Sequence, residues 1–255
     1  MTRALLAAQS GWGKSWLTQW WTEDNLPRFD YLVVLDYKDE YRGLAKAGLA
    51  KWAGVGTHEA GLSASAWRGF LESNPKVLLA RSVRDDQWRE VCGAVARAAR
   101  SLDGDALVVV DEAHFVAQQR GGYPDAVKGL ATTGRGEGVA SVWVTQRLSE
   151  IDETVIAQCD TRMLGGFGSD ADLKKISGVI GYPTDVHDPS KQRIPSLSSS
   201  LEADDGPIPV RNFERPGSEW IYSTTSGDAR RVNSQDLEMS STHYGPEGTS
   251  LSVPG

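Results

Sequence analysis

One stretch near the start of the 255-residue chain limits what it can become: Ala7-Ala8-Gln9-Ser10-Gly11-Trp12-Gly13-Lys14-Ser15. A short apolar run, Ala4 to Ala8, leads into it, and Trp16-Leu17-Thr18-Gln19-Trp20-Trp21 after it reads as a helix. Strand, glycine loop, Gly-Lys-Ser and helix together are the layout of a phosphate-binding loop. Gly11 and Gly13 let the backbone turn its N–H groups inward around an anion. The following helix aims its positive end at the same place. Ser10, Gly11, Trp12, Gly13, Lys14, Ser15 and Trp16 are therefore the predicted ATP-binding segment. Lys14 supplies a point charge for the β and γ phosphates, and Ser15 a hydroxyl for Mg2+. Ala8 stands where the usual pattern has its first glycine.

The chain is 40% hydrophobic, enough for a sizeable core in one large α/β domain. A formal net charge of −7 argues against a broad basic nucleic-acid surface. It leaves open a ring that grips DNA with a few Arg and Lys per subunit. Cys92 and Cys159 lie far apart without metal-ligand spacing, which suits reduced core thiols in a cytosolic setting. The apolar run at the amino terminus is too short for a signal peptide and feeds directly into the phosphate loop. No segment approaches the roughly 18 apolar residues of a membrane span, so no direct membrane insertion is expected.

Tyr31 to Asp36, Lys76 to Arg81, Ala106 to Glu112, Val139 to Gln146 and Thr161 to Phe167 read as strands. Helices are expected over Ser63–Ser73 with a serine cap, Asp85–Leu102, about Pro124–Thr133, Ile151–Gln158 and Asp170–Ser177. Residues 43–62 carry no clear pattern. Strands alternating with helices predict a mostly parallel central sheet flanked by helices on both faces. The expected division is an ATPase core over 1–181, an irregular Pro- and Ser-rich loop over 182–216, a hairpin over 217–236 that completes the core, and a disordered tail over 237–255.

Asp111 and Glu112 end a buried apolar strand, and in an open α/β sheet ligands bind at that end. Asp111 is the predicted Mg2+ partner opposite Ser15, and Glu112 the base that orients and deprotonates the attacking water. Gln146 ends the next strand. If that strand neighbours the one ending in Asp111, Gln146 lies beside the γ-phosphate and senses it by hydrogen bond. Arg135, in a glycine-rich loop, is the first candidate for an arginine finger reaching a neighbouring subunit. Arg162, Arg81, Arg84 and Arg147 are weaker ones. Asp111-Glu112-Ala113-His114 also spells a box of superfamily 2 helicases, but nothing after Gln146 supplies the second domain those enzymes need. His114 reads equally as a hydrogen-bonded core histidine, and the charged run Asp36–Glu40 as a solvated turn.

Together, Ala8-X4-Gly13-Lys14-Ser15, Leu35-Asp36-Tyr37-Lys38-Asp39-Glu40-Tyr41, Val110-Asp111-Glu112-Ala113 and Gly134-Arg135-Gly136-Glu137-Gly138 running into Val144-Thr145-Gln146-Arg147 resemble the HerA/FtsK superfamily of DNA-pumping ATPases. The Asp-X-Lys-X-Glu turn and Thr-Gln-Arg are the more specific marks, and the resemblance covers roughly residues 3–235. It implies a RecA-like P-loop fold and a homo-oligomeric ring, a hexamer by the family's pattern. It implies ATP sites at subunit interfaces, a finger supplied in trans, and double-stranded DNA in the central channel. The stripped-down core looks most like the genome-packaging ATPases of membrane-containing icosahedral viruses, including archaeal ones. That similarity implies a capsid or membrane protein at a portal vertex as partner, and the host cytoplasm or the virion as location. Arg120 and Lys128, in the expected pore-loop segment Gln118–Lys128, are candidate DNA contacts. The alternatives are a plasmid- or conjugation-type pump, a non-motor ATP-dependent switch, and a structural virion component. The loop's place at the start of the sequence suggests a bare motor core that borrows its anchor from a partner.

Overall fold

The apolar runs become strands in the computed structural model, which describes residues 2–211 and 217–253. They are β1 (Arg3–Ala7), β2 (Tyr31–Asp36), β3 (Lys51–Val55), β4 (Lys76–Arg81), β5 (Ala106–Val110), β6 (Val139–Thr145), β7 (Thr161–Leu164), β8 (Glu219–Thr224) and β9 (Ala229–Asn233). The helices are α1 (Lys14–Asn25), α2 (Arg42–Lys46), α3 (Ala64–Ser73), α4 (Asp85–Ala99), α5 (Asp125–Thr132), α6 (Glu153–Gln158) and α7 (Asp170–Ser177). The α3 cap is the expected one, with Ser63 Oγ accepting from the Ala66 N–H at 3.2 Å.

The strands form one sheet in the order β3-β4-β2-β5-β6-β1-β7-β8-β9. Pairing is parallel from β3 through β7, and β8 and β9 add an antiparallel hairpin beside β7. All residues of β5 and β6 are buried, as strands covered on both faces must be. The fold class read from the sequence therefore stands. β6 lies between β5 and β1, so the turn after β6 sits between the acidic pair and the phosphate loop.

The two faces are covered differently. One packs Trp67 and Leu71 of α3, Trp88, Val91 and Val95 of α4, and residues of α5, α6 and α7. The other meets α1, α2 and an irregular segment that buries Val186, Ile194, Leu197, Leu201 and Val210. Arg231 of β9 anchors that segment, donating to the carbonyls of Leu201 at 3.0 Å and Ile208 at 2.5 Å and to Glu219. Of the expected loop over 182–216, residues 212–216 lie outside the described residues.

Three expectations change. β3 falls in the stretch without a pattern; it is an edge strand, mostly half-buried, and Gly54 interrupts its apolar sequence. β5 ends at Val110, and Glu112 takes a left-handed backbone conformation at φ 45°, so the acidic pair forms a turn rather than a strand end. The tail expected to be disordered lies along α1 and α2 as far as Val253. Glu23 accepts from the Ser240 and Ser241 N–H groups at 2.6 and 3.0 Å, and Arg42 donates to the Leu251 carbonyl at 2.9 Å. Leu237 and Val253 pack on the core at its two ends, and between them polar contacts hold it, which leave no trace in a hydropathy pattern.

Candidate active site

The phosphate loop is set by backbone geometry. Gly11 and Gly13 have φ of 78° and 83°, a region that L side chains enter only with strain. A Cβ on Gly13 would also stand 3.1 Å from Ser218 Oγ. The loop is clamped from below. The Trp12 indole is buried against Gly165 and Gly166, where any side chain would collide with it, and donates Nε1–H to the Glu219 carbonyl at 2.9 Å. Ser218 donates to the Trp12 carbonyl at 2.5 Å. Residues after position 216 thus hold the first loop in shape.

A cleft of about 180 Å3 at the carboxyl end of the sheet is lined by Ser10, Gly11, Gly13, Lys14, Ser15, Lys38, Glu40, Asp111, Glu112 and Gln146. Most of the predicted site therefore converges. Lys14 Nζ donates to the Gln9 carbonyl at 3.1 Å. Burial lowers its pKa, and the carboxylates of Glu112 and Asp111 work the other way. Asp111 is buried; its Oδ1 accepts from the Tyr41 hydroxyl at 3.2 Å, and its Oδ2 has no hydrogen-bond partner among the described residues. Burial pushes its pKa well up, and the neighbouring Asp36 and Glu112 push the same way. Glu112 is ion-paired with Lys38 through Oε1, while Oε2 has no hydrogen-bond partner among the described residues and lies 3.3 Å from His114 Nδ1.

Asp36 supports this corner from beneath. It accepts the Glu40 and Tyr41 N–H groups, each at 3.1 Å, and burial pushes it up to about 7. The charged turn after β2 is therefore part of the site rather than a solvated turn. Composition could not show this; the Asp-X-Lys-X-Glu pattern within the family resemblance was the signal. For Lys38, burial works against the charge, but Glu112 outweighs it and raises the pKa.

The residues suit Mg2+ with a nucleotide. The cleft sets two lysines against three carboxylates, holds an orphaned buried carboxylate oxygen on Asp111, and faces a glycine cradle that a Cβ would crowd. Ser15 and Asp111 would hold the cation, which when bound neutralises phosphate charge.

Other predicted residues fall elsewhere. The side chains of Trp12 and Trp16 do not line the cleft; Trp16 faces a separate groove along residues 237–243. Arg120 and Lys128 are exposed, on the loop after β5 and on α5. Arg135 precedes β6, at the amino end of the sheet, exposed and 4.0 Å from Asp160. It stands at the opposite end of the sheet from the cleft of its own chain. Among the weaker finger candidates, Arg162 is buried, and Arg81 is held by Asp85, by two carbonyls and over the Tyr37 ring. Arg84 and Arg147 are exposed, each paired with a nearby acid. His114 is the hydrogen-bonded core histidine, with Nδ1 3.1 Å from Thr145 Oγ1 and its pKa lowered by burial.

A glycine cradle after β1, an acidic turn after β5 and a polar residue after the intervening β6 define a RecA-like P-loop nucleoside triphosphatase fold. Among solved structures, the genome packaging NTPase B204 from Sulfolobus turreted icosahedral virus 2, in complex with ATP-gammaS, superposes with a TM-score of 0.60 at 14% identity, covering 90% of this chain and 96% of that one. VirB4 of Thermoanaerobacter pseudethanolicus gives 0.58 at 12% identity over 95% and 90%. The plasmid coupling protein TrwB, in complex with ADP and Mg2+, gives 0.56 at 15% over 96% and 87%. These neighbours are HerA/FtsK-type P-loop ATPases, the family that the sequence resembles. At such identities the likeness establishes the fold. No protein-family model and no curated protein sequence matches the chain.

Proposed function

We propose that this chain is the ATPase core of a DNA-translocating ring. The observation that carries the reading is the convergence of Lys14, Ser15, Asp111, Glu112 and Gln146 on one cleft, with Asp111 Oδ2 and Glu112 Oε2 buried and without a hydrogen-bond partner among the described residues. Buried carboxylates left in that condition cost stability, and catalysis is the ordinary reason to keep them. Lys14 binds the phosphates. Glu112, with one oxygen fixed by Lys38, has the other oxygen to take a proton from the attacking water. Gln146 offers its amide to the γ-phosphate. Arg135 supplies the finger to the adjoining subunit, so the ATP site is shared across the ring. Arg120 and Lys128 are exposed cations suited to phosphate contacts that read no sequence.

Packaging of viral double-stranded DNA into a capsid, in the host cytoplasm or at the virion's portal vertex, is the particular role we favour. It rests on the B204 likeness, which covers 90% of this chain and 96% of that one. A conjugation-type pump is the second reading, favoured by the VirB4 and TrwB likenesses, which cover slightly more of this chain. The test is ATP turnover with and without double-stranded DNA, beside the native oligomer mass. We expect stimulated turnover and a ring mass. Slow, DNA-indifferent turnover by a monomer would leave a nucleotide switch instead.

A further inference from the structure

The tail reaches the phosphate loop at Ser15, and the hydrogen bonds there run in one direction. Glu23 on α1 is an ionised carboxylate; burial works against its charge, but donors from Ser241 and Ser240 outweigh it and lower the pKa. It only accepts, so the Ser241 hydroxyl donates to it, at 2.5 Å. The Ser241 oxygen in turn accepts from Gln19 Nε2 at 2.8 Å, and the same amide nitrogen faces the Thr242 carbonyl at 3.3 Å. Those two acceptors fix the buried Gln19 amide, whose Oε1 faces His243 Nδ1 at 2.9 Å. An amide oxygen only accepts, so the His243 proton sits on Nδ1 and Nε2 carries a lone pair. Nε2 lies 3.2 Å from Ser15 Oγ, which therefore donates to it.

A serine hydroxyl has one proton and two lone pairs. With its proton drawn toward the tail, the Ser15 oxygen keeps its lone pairs for the cleft. We propose that His243 is a positioning residue for the cation site, taking the Ser15 hydrogen bond and so turning the serine lone pairs toward the metal. This rests on the nucleotide-site reading above. An outer partner that orients a ligand commonly contributes about 10–100-fold to metal affinity. The relay also explains why the tail lies where it does. Gly43 of α2 lets it approach, since a Cβ there would collide with the Thr242 carbonyl oxygen and stand 2.7 Å from Gln19 Nε2.

The test uses Mn2+ titrated into the 255-residue chain saturated with ADP, with free Mn2+ read by electron paramagnetic resonance. ADP affinity in EDTA is measured in parallel. His243→Ala is expected to lose roughly tenfold in Mn2+ affinity while keeping its metal-free ADP affinity. Gly43→Ala, which displaces the tail and crowds the Gln19 amide without substituting any relay residue, should show the same split and covers the case of a misfolded His243 variant. In a Ser15→Ala background, His243→Ala should have no further effect. Unchanged or tighter Mn2+ binding by His243→Ala overturns the proposal, and tighter binding would make the tail a competitor for Ser15. Equal loss of ADP affinity with and without metal also overturns it, as the mark of a merely structural contact. Wild-type protein that binds no ADP in either condition overturns the nucleotide-site reading itself, and this inference with it.

Discussion

The two ends of the sheet use charge differently, although Arg3 Nε, like the acids of the other end, has no hydrogen-bond partner among the described residues. At the amino end, both terminal nitrogens of Arg3 are bonded: to the Ala131 and Thr132 carbonyls at 2.8 and 3.3 Å, to Gln158 at 3.1 Å and to Asp160 at 3.3 Å. At the carboxyl end, Asp111 and Glu112 are more deeply buried, yet each keeps an oxygen without a hydrogen-bond partner among the described residues. Size points the wrong way. A groove of about 610 Å3 opens at the amino end between α1 and the sheet, flanked by Trp20, Trp21 and Phe29, against about 180 Å3 for the cleft above. What separates the two ends is the grouping of opposite charges around one small cleft, Lys14 and Lys38 facing Glu40, Asp111 and Glu112, rather than volume.

That contrast can be broken at either end. Glu112→Gln should cut ATP turnover by roughly 10²–10⁴-fold and leave the fold intact, as single-turnover assays and a melting curve would show. A variant that turns over normally would remove Glu112 as the base. Arg135→Ala should cost roughly 10³-fold in the assembled ring and nothing in nucleotide affinity of the isolated subunit; full ring activity would hand the finger to another arginine, with exposed Arg147 next in line. Arg3→Ala should do the reverse. It should lower stability by roughly 3 kcal/mol, from several lost bonds to a charged group, without changing nucleotide affinity, as denaturant titration and ADP binding would show.

The smallest expected effect is on pH. His187 is buried, donates Nδ1–H to the Gly165 carbonyl at 2.8 Å and lies 3.1 Å from the Tyr182 hydroxyl; burial pushes it down to about 4. Its folded pKa is below the unfolded value, so the unfolded chain takes up the proton first as pH falls. Stability from the neutral ring is complete above about pH 7 and is lost as pH drops from 6.5 toward 4. Between pH 7 and 5 the loss should be roughly 2 kcal/mol. His187→Gln, compared with the wild type by denaturant titration at each pH, should lack that component; equal slopes would show that His187 does not titrate there.

Much of the site was legible because its parts are contiguous in the chain. Gly11 to Ser15 form one loop, and Asp111-Glu112 follow a run of four apolar residues that reads as a buried strand. Gln146 needed one further fact, the β5–β6 pairing, which the structure supplies. Lys38 was visible only as part of a charged turn, because its partner Glu112 is remote in sequence. His243 carried no signal, since a single histidine in a polar tail matches no period. Ser218 and Glu219, which brace Trp12, and Arg231, which anchors the irregular segment, act through backbone carbonyls that no side-chain pattern records.

The amino-acid sequence by itself determined the alternation of strands and helices and the chemistry of the phosphate loop. Both follow from local periodicity and from residue types that few other backbones need. Only the tertiary structure decided that Lys38 closes on Glu112, that Arg135 stands at the far end from its own cleft, and that the tail returns to Ser15 through His243. Those outcomes depend on strand order and on hydrogen bonds between residues far apart in the chain, set by which surfaces pack together rather than by any local preference.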